Sequence, residues 1–253
     1  MSLDARRAVS PATEACDRKR LRTAQRVLCD IDGCLVSGAR VLPGALAFVQ
    51  RFADRLMLVS NNSTDTQESL HRRLVRLGFE LRPDQLVLAG QQALAWVANR
   101  HGPGPVFLLS NERMRAAASR LDLTHCDSKP RVVLVCRDTD LTLARLERAL
   151  YHIAGGVPVI LANSDITHPG EHGPAIESGA LLQMLAACHP PSSVINIGKP
   201  NPRLLLQALG PVAVEDAVMI GDNPQTDGRA AQSADMYPIL VGPAAGRWLS
   251  DFL

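Results

Sequence analysis

Regular apolar patterning along the chain begins at Val27-Leu28-Cys29, which runs directly into Asp30. Three consecutive apolar residues stopped by an acid predict a buried strand. Leu42–Phe52 then carries apolar residues at helical spacing, with Pro43 near its start, where a fixed φ suits a first turn. Arg55–Val59 predicts a second buried strand. In Asp65–Leu77 the residues Leu70, Leu74 and Leu77 share one face and Gly78 follows, the pattern of an amphipathic helix with a glycine stop. Two strand–helix units in series predict an α/β fold with a parallel, doubly wound sheet.

The same rhythm continues through the middle of the chain. Leu86–Ala89 precedes a helical stretch, Val106–Leu109 precedes a helix ending near Leu121, and Val132–Cys136 precedes Leu141–Ile153. Val157–Ala162 is a further apolar run. A polar stretch rich in Gly and Pro, Asn163–Pro174, reads as a loop, and a helix is predicted from about Glu177 to Ala187. The last part returns to the first style. Val194–Ile197 and Ala217–Ile220 read as strands, Pro202–Leu209 and Thr226–Gln232 as helices, and Ile239–Val241 as a last short strand. Spacing alone allows one sheet or two.

Composition narrows the function classes. Hydrophobic residues make up 46% and charged residues 21% of the 253, the balance of a globular protein. Net charge is only +2 and aromatics are 4%, so no nucleic-acid partner is expected: there is neither a broad basic field nor a base-stacking surface. The six cysteines (16, 29, 34, 126, 136 and 188) form no CxxC pair and read as thiols in a reducing compartment. No membrane partner is expected, because no run approaches the roughly 20 apolar residues of a span. With no apolar signal core at the amino end, a cytoplasmic location is expected. Residues 1–25 read as a polar, solvated tail with a short helix around Glu14–Thr23. Met1–Arg26 holds seven basic residues and three acidic ones.

Four segments share one design, an apolar strand that stops at polar residues. They are Asp30-Ile-Asp32-Gly33, Ser60-Asn61-Asn62-Ser63-Thr64, Gly198-Lys199-Pro200, and Gly221-Asp222 through Thr226-Asp227. In an open parallel sheet, ligands sit beyond the carboxyl ends of the strands. Asp30 and Asp32, one residue apart, point to the same side of an extended backbone. Side by side they repel unless a cation intervenes. With Asp222 they form an oxygen-only donor set that suits Mg²⁺. Lys199 would add positive charge, and Ser60 with the amides near Asn61 would add neutral donors for phosphate oxygens. Each segment also has a plainer reading: a solvated acid pair in a turn for the first, helix capping for the second and fourth, and nothing specific for the third.

In this order, the four motifs resemble the haloacid-dehalogenase-like hydrolase superfamily. The VSNNS string and the following helix ending in LGF resemble its branch of sugar- and nucleotide-phosphate, 4-nitrophenyl, phosphoglycolate and pyridoxal phosphate phosphatases. The similarity runs from about Val27 to Val241. It implies a Rossmann-like core over 26–81 and 178–253, with an inserted α/β cap domain over 82–177 that excludes water and chooses the leaving group. By resemblance, Asp30 is the nucleophile and Asp32 the general acid and base. Asp30, the Asp32 carbonyl and Asp222 are the Mg²⁺ ligands. Ser60, Asn61, Asn62 and Lys199 hold the phosphate, and Asp227 supports the metal site. The segment Asn163–Pro169 is similar to a cap loop in which a histidine reaches the substrate, a role that falls here to His168. A second histidine, His172, follows at a spacing open to metal ligation, with nothing else in support.

The substrate implied is a small phosphorylated metabolite, and the assembly a homodimer through the cap. Two departures stand out. Cys34 takes a position where threonine is commoner, which predicts a site open to oxidation or alkylation. The cap exit reads Gly173-Pro-Ala-Ile-Glu-Ser-Gly179, which bears on which substrate is chosen. Two other readings carry different expectations. A dehalogenase would leave Asp32 and Asp222 without a role, and a non-catalytic binding protein would leave Asp30, Asp32, Lys199 and Asp222 without one.

Overall fold

A computed structural model describes residues 10–170 and 173–253 of the chain. It falls into two compact units. The first comprises the described residues of Met1–Ser60 with His71–Val87 and Lys199–Leu253, and the second comprises Asn61–Leu70 with Leu88–Gly198.

The first unit is built on a five-stranded sheet. Its spatial order is Tyr237–Leu240, Ala217–Gly221, Arg26–Cys29, Leu56–Ser60, Leu86–Leu88. Arg26–Cys29 is central and parallel to both neighbours, with Val27 opposite Val218 on one side and Leu56 on the other. Val27, Leu28 and Cys29 are fully buried. That is why the strand reads as an unbroken apolar run rather than an alternating one: both faces of a parallel sheet are covered. The helix Ala45–Phe52 buries Ala45, Phe48, Val49 and Phe52, the stripe its spacing predicts. The helix Arg203–Leu209 buries Leu204, Leu205, Ala208 and Leu209. The chain starts in the middle of the sheet, builds one half, and returns on the other side. The order therefore reverses between Arg26–Cys29 and Ala217–Gly221, and a crevice opens beyond their carboxyl ends.

The second unit carries its own five-stranded sheet, ordered Val194–Asn196, Val159–Leu161, Val133–Val135, Gly104–Leu109, Leu123–His125 and parallel throughout. Helices Leu143–Ala154 and Ser178–Cys188 close its core, with Leu146, Ile153, Leu181 and Leu185 packed against Phe107, Val133 and Val159.

The structure departs from the sequence reading in three places. Val194–Asn196, expected in the core sheet, pairs with Val159–Leu161 of the second sheet, and Ser178–Cys188 packs beside it. Hydrophobic content could not show this, because either sheet accepts an apolar edge strand. The loop expected over Asn163–Pro174 contains half of an antiparallel hairpin, Thr167–Gly170 with Gly173–Ile176. Its Gly and Pro content hides the pairing, and His172 lies outside the described residues. The helix expected over Thr226–Gln232 is present, as a π-helical turn, Pro224–Gly228, running into a short α-helix, Arg229–Ser233.

The third departure is the amino-terminal stretch. The helix expected around Glu14–Thr23 is present as Pro11–Thr23, capped by the Ser10 hydroxyl, which accepts from the Thr13 amide at 3.2 Å, but it is not solvated throughout. Asp17 on this helix is 2% exposed. Its carboxylate lies 2.6 Å from Arg247 Nη1 and accepts from the Tyr237 hydroxyl at 2.9 Å. Among the described residues no helix is long and apolar enough to cross a membrane.

The buried Asp17–Arg247 pair makes the docking of this helix testable. Asp17→Ala removes one partner and strands the other, which costs about 3–5 kcal/mol. Urea unfolding should show that loss. A midpoint unchanged from wild type would return the helix to the status of a solvated tail.

Candidate active site

Within the first unit, the carboxyl ends of three neighbouring strands supply the candidate chemistry. The Asp30 amide continues the ladder, donating to the Ile220 carbonyl at 2.9 Å. The side chain of Asp30 thereby stands at the first position past the sheet. Asp222 follows the fully buried strand Ala217–Gly221, and Ser60, 2% exposed, ends Leu56–Ser60.

Two glycines let these strand ends close up. Gly33 has φ +86°, and a Cβ there would collide with the Asp222 carboxylate. A Cβ on Gly221 would collide with the side chain of Asp227. Both are positions where backbone must pass directly against a carboxylate, and only glycine allows it.

Lys199 organises the cluster. Its side chain is buried, and Nζ lies 2.8 Å from Asp30 Oδ1 and 2.6 Å from Asp227 Oδ1. It also donates to the Val59 carbonyl at 3.1 Å. Asp227, 1% exposed, accepts from the Asn223 amide at 3.1 Å through its other oxygen. Burial by itself pulls the Lys199 ammonium toward neutrality, but Asp227 and Asp30 together outweigh it and hold the proton on above the usual lysine range.

The acids respond in the opposite sense. Asp30 is raised well above the ordinary carboxylate range by burial, with Asp227 and Asp222 adding to the effect and Lys199 opposing it. Asp222 is pushed up to about 6, again chiefly by burial, then by Asp227 and Asp32, against Lys199. One buried cation thus faces several carboxylates, and the excess negative charge is what a divalent cation would relieve. Oxygens of Asp30 and Asp222 and the Cys34 sulfur lie within 4.8 Å of one another, close enough to share one ion. The oxygen donors fit Mg²⁺, and the thiol does not.

Asp32 is exposed and lies on the turn after Asp30, where a bridge joins it to Val36. Cys34 behaves differently from the sequence expectation of a reactive thiol. It is 1% exposed, and a hydrogen bond with Cys29, burial and the nearby acids raise its pKa well above the usual thiol range. A buried, protonated thiol is a poor nucleophile, so Cys34 is protected rather than sensitive.

The remaining predicted residues belong to the second unit. The Asn61 carbonyl accepts from Asn163 Nδ2 at 2.7 Å, and Asn61 Nδ2 donates to Asp165 at 2.9 Å. Asn62 serves the turn: its side-chain oxygen accepts from the Thr64 and Asp65 amides at 2.9 and 2.8 Å. The helix that follows, Gln67–Arg76, is capped instead by the Thr66 hydroxyl, which accepts from the Ser69 amide at 3.3 Å. His168 stands on the hairpin with Nδ1 2.8 Å from Glu177 Oε1. Glu177 is 8% exposed and also accepts from Asn163 at 3.4 Å and from the Ser178 amide at 3.3 Å.

Asn163, Ser63 and Glu177 were not singled out from the sequence. Ser63 Oγ accepts from the Arg137 amide at 2.9 Å. Asn163 carried a usable signal, because it follows the apolar run Val157–Ala162 as Asp30 follows Val27–Cys29. Glu177 carried none, since a Glu at a helix start reads as a surface cap.

Comparisons with known proteins give the family. Residues 27–124 match a family model described as haloacid dehalogenase-like hydrolase, and residues 196–246 match a second model, described as HAD-hydrolase-like. Chronophin of Mus musculus is 31% identical over 238 residues, covering 87% of this chain and 82% of its own. The dihydroxyacetone phosphatase of Corynebacterium glutamicum strain R is 26% identical, covering 85% and 79%. Among solved structures, 4-nitrophenylphosphatase from Thermotoga maritima superposes with a TM-score of 0.80 at 25% identity, covering 88% of this chain and 87% of its own. A strand-end acid cluster bridged by a buried lysine and an identity above 30% across most of both chains lead to one conclusion: the chain belongs to the haloacid dehalogenase-like hydrolases, in their phosphatase branch.

Proposed function

We propose that this phosphatase is Mg²⁺-dependent and hydrolyses a small phosphomonoester through a phosphoryl-aspartate on Asp30. The observation that carries the reading is the bridge of Lys199 between Asp30 and Asp227. It occupies Asp30 Oδ1 at 2.8 Å and leaves Oδ2 for attack. Asp30 Oδ2 forms a bond to phosphorus as the ester oxygen departs, and Asp32, exposed at the mouth of the site, gives that oxygen its proton. Asp32 then takes a proton from the water that cleaves the acyl phosphate, which restores both carboxyl groups.

Lys199 keeps its charge throughout and offsets that of the carboxylate and the incoming phosphate. The Ser60 hydroxyl supplies a neutral donor. Asp30, the Asp32 carbonyl and Asp222 would hold Mg²⁺, whose contribution is to screen the repulsion between two anions that must meet. Asp227 keeps Lys199 in place. The second unit is proposed as the inserted cap, with Asn61 and His168 taking part in substrate choice. The relatives named for dihydroxyacetone phosphate and nucleotides support a small phosphorylated metabolite as substrate.

Three measurements test this reading. Asp30→Asn should lower turnover of a phosphomonoester by at least about 10³-fold while the thermal midpoint holds or rises. Full turnover in that variant would sink the nucleophile assignment.

Lys199→Met should abolish turnover and also cost about 3–5 kcal/mol, because Asp30 and Asp227 lose the cation that compensates their burial. A stable, active Lys199→Met protein would mean that the bridge is incidental.

The third is pH dependence. The pKa of Asp222 is raised in the folded state from an unfolded value near 3.9, so its protonated form is favoured there. The stability it contributes is full below about pH 4 and is lost as pH rises through about 6. Mg²⁺ needs the ionised form and must displace that proton. Its affinity, followed by calorimetry, should therefore weaken steadily as pH falls below about 6 and level off above 7, with proton release on binding. An affinity flat from pH 5 to 8 would remove Asp222 from the ligand set.

A further inference from the structure

The first unit carries an open surface cavity of about 360 Å³ that the phosphatase chemistry does not use. It lies among the helix Pro11–Thr23, the end of the helix Ala45–Phe52 and the chain at Leu249–Leu253. Its volume is that of a small-molecule site. Five of its ten lining residues are cationic, Arg18, Lys19, Arg22, Arg51 and Arg55, and none is acidic. The chain as a whole carries a net charge of only +2, so this is a local concentration and not general basicity.

The charge is also poorly compensated. Arg18 pairs with Glu14 on its own helix at 2.9 Å. Lys19, Arg22 and Arg51 have no carboxylate partner among the described residues. Even a carboxylate at Leu253 would leave the cavity strongly positive. Arg18, Lys19, Arg22 and Arg51 are exposed and Arg55 is half-buried, so water screens their mutual repulsion, while an anion seated among them would be attracted by all five.

The walls are built rather than incidental. Arg55 donates to the carbonyls of Arg22 and Ala24 at the end of the amino-terminal helix. The Arg55 and Arg18 guanidiniums lie 5.2 and 5.9 Å from the rings of Phe52 and Phe252. Those rings are 4% and 5% exposed, and they give the cavity an apolar floor beneath its cations.

Its place in the sheet separates it from Asp30. Arg55 immediately precedes the strand Leu56–Ser60, and Arg22 and Ala24 precede Arg26–Cys29. The cavity is therefore at the amino ends of strands whose carboxyl ends carry Ser60 and Asp30. Five extended residues put roughly 16 Å between them.

We propose that this cavity is a second anion site, for a small metabolite bearing at least two negative charges on phosphate. Guanidinium groups match phosphate oxygens in pairs, and the aromatic floor accepts the organic part. The inference does not depend on the mechanism proposed for Asp30.

The test uses the full chain, inorganic pyrophosphate as probe, and chelator to exclude metal, followed by calorimetry at physiological ionic strength. Wild type should bind one equivalent saturably. Arg22→Ala combined with Arg51→Ala should weaken that binding by about tenfold or more, while turnover of a phosphomonoester without pyrophosphate stays within about twofold of wild type, which also shows that the variant folds. Equal affinity in the two proteins, or no saturable binding by wild type, would overturn the site. Citrate binding as tightly as pyrophosphate would overturn the choice of phosphate.

Discussion

The fold of the first unit turns on one buried cation. Lys199 is 1% exposed and stands between Asp30 and Asp227, themselves buried. None of the three would be tolerated alone at that depth, because an unpaired charge there costs several kcal/mol. Together they oblige Arg26–Cys29, Ala217–Gly221 and the segment carrying Lys199 to meet beyond the carboxyl ends of the central strands. The reach of Nζ to the Val59 carbonyl ties in a third strand. Gly33 and Gly221 are then needed because that meeting leaves no room for a Cβ beside Asp222 or Asp227.

The same arrangement explains the electrostatics. Burial raises the pKa values of Asp30 and Asp222, and the single lysine only partly compensates. A site with surplus buried carboxylate charge is one in which a divalent cation and a phosphate can be accepted together, each offsetting the other. Cys34 sits beside this centre yet keeps its proton, for the reasons that raise the acids: burial and neighbouring negative charge.

The second unit organises its polar groups by another rule. Asn163, fully buried, donates to the Asn61 carbonyl, while Glu177 caps a helix and pairs with His168. This is a hydrogen-bonded network rather than a charge cluster, and its members come from strand ends and a hairpin. The cationic cavity of the first unit follows a third pattern, in which like charges gather around an apolar floor at the amino ends of the strands.

What the sequence determined by itself was the local pattern. Apolar runs stopped by polar residues located the strands and placed Asp30, Ser60, Lys199 and Asp222 at or beyond strand ends, because strand burial and strand length are local properties. Leu70 and Leu74 sharing one face fixed a helix for the same reason. Tertiary structure decided the partners. Whether Val194–Asn196 joined one sheet or the other and whether Pro11–Thr23 docked depended on residues far away in the chain. Asp17 finding Arg247 and Glu177 finding His168 are pairings across 230 and 9 residues that no periodicity encodes. They were settled by which buried charges needed compensation once the sheets had formed.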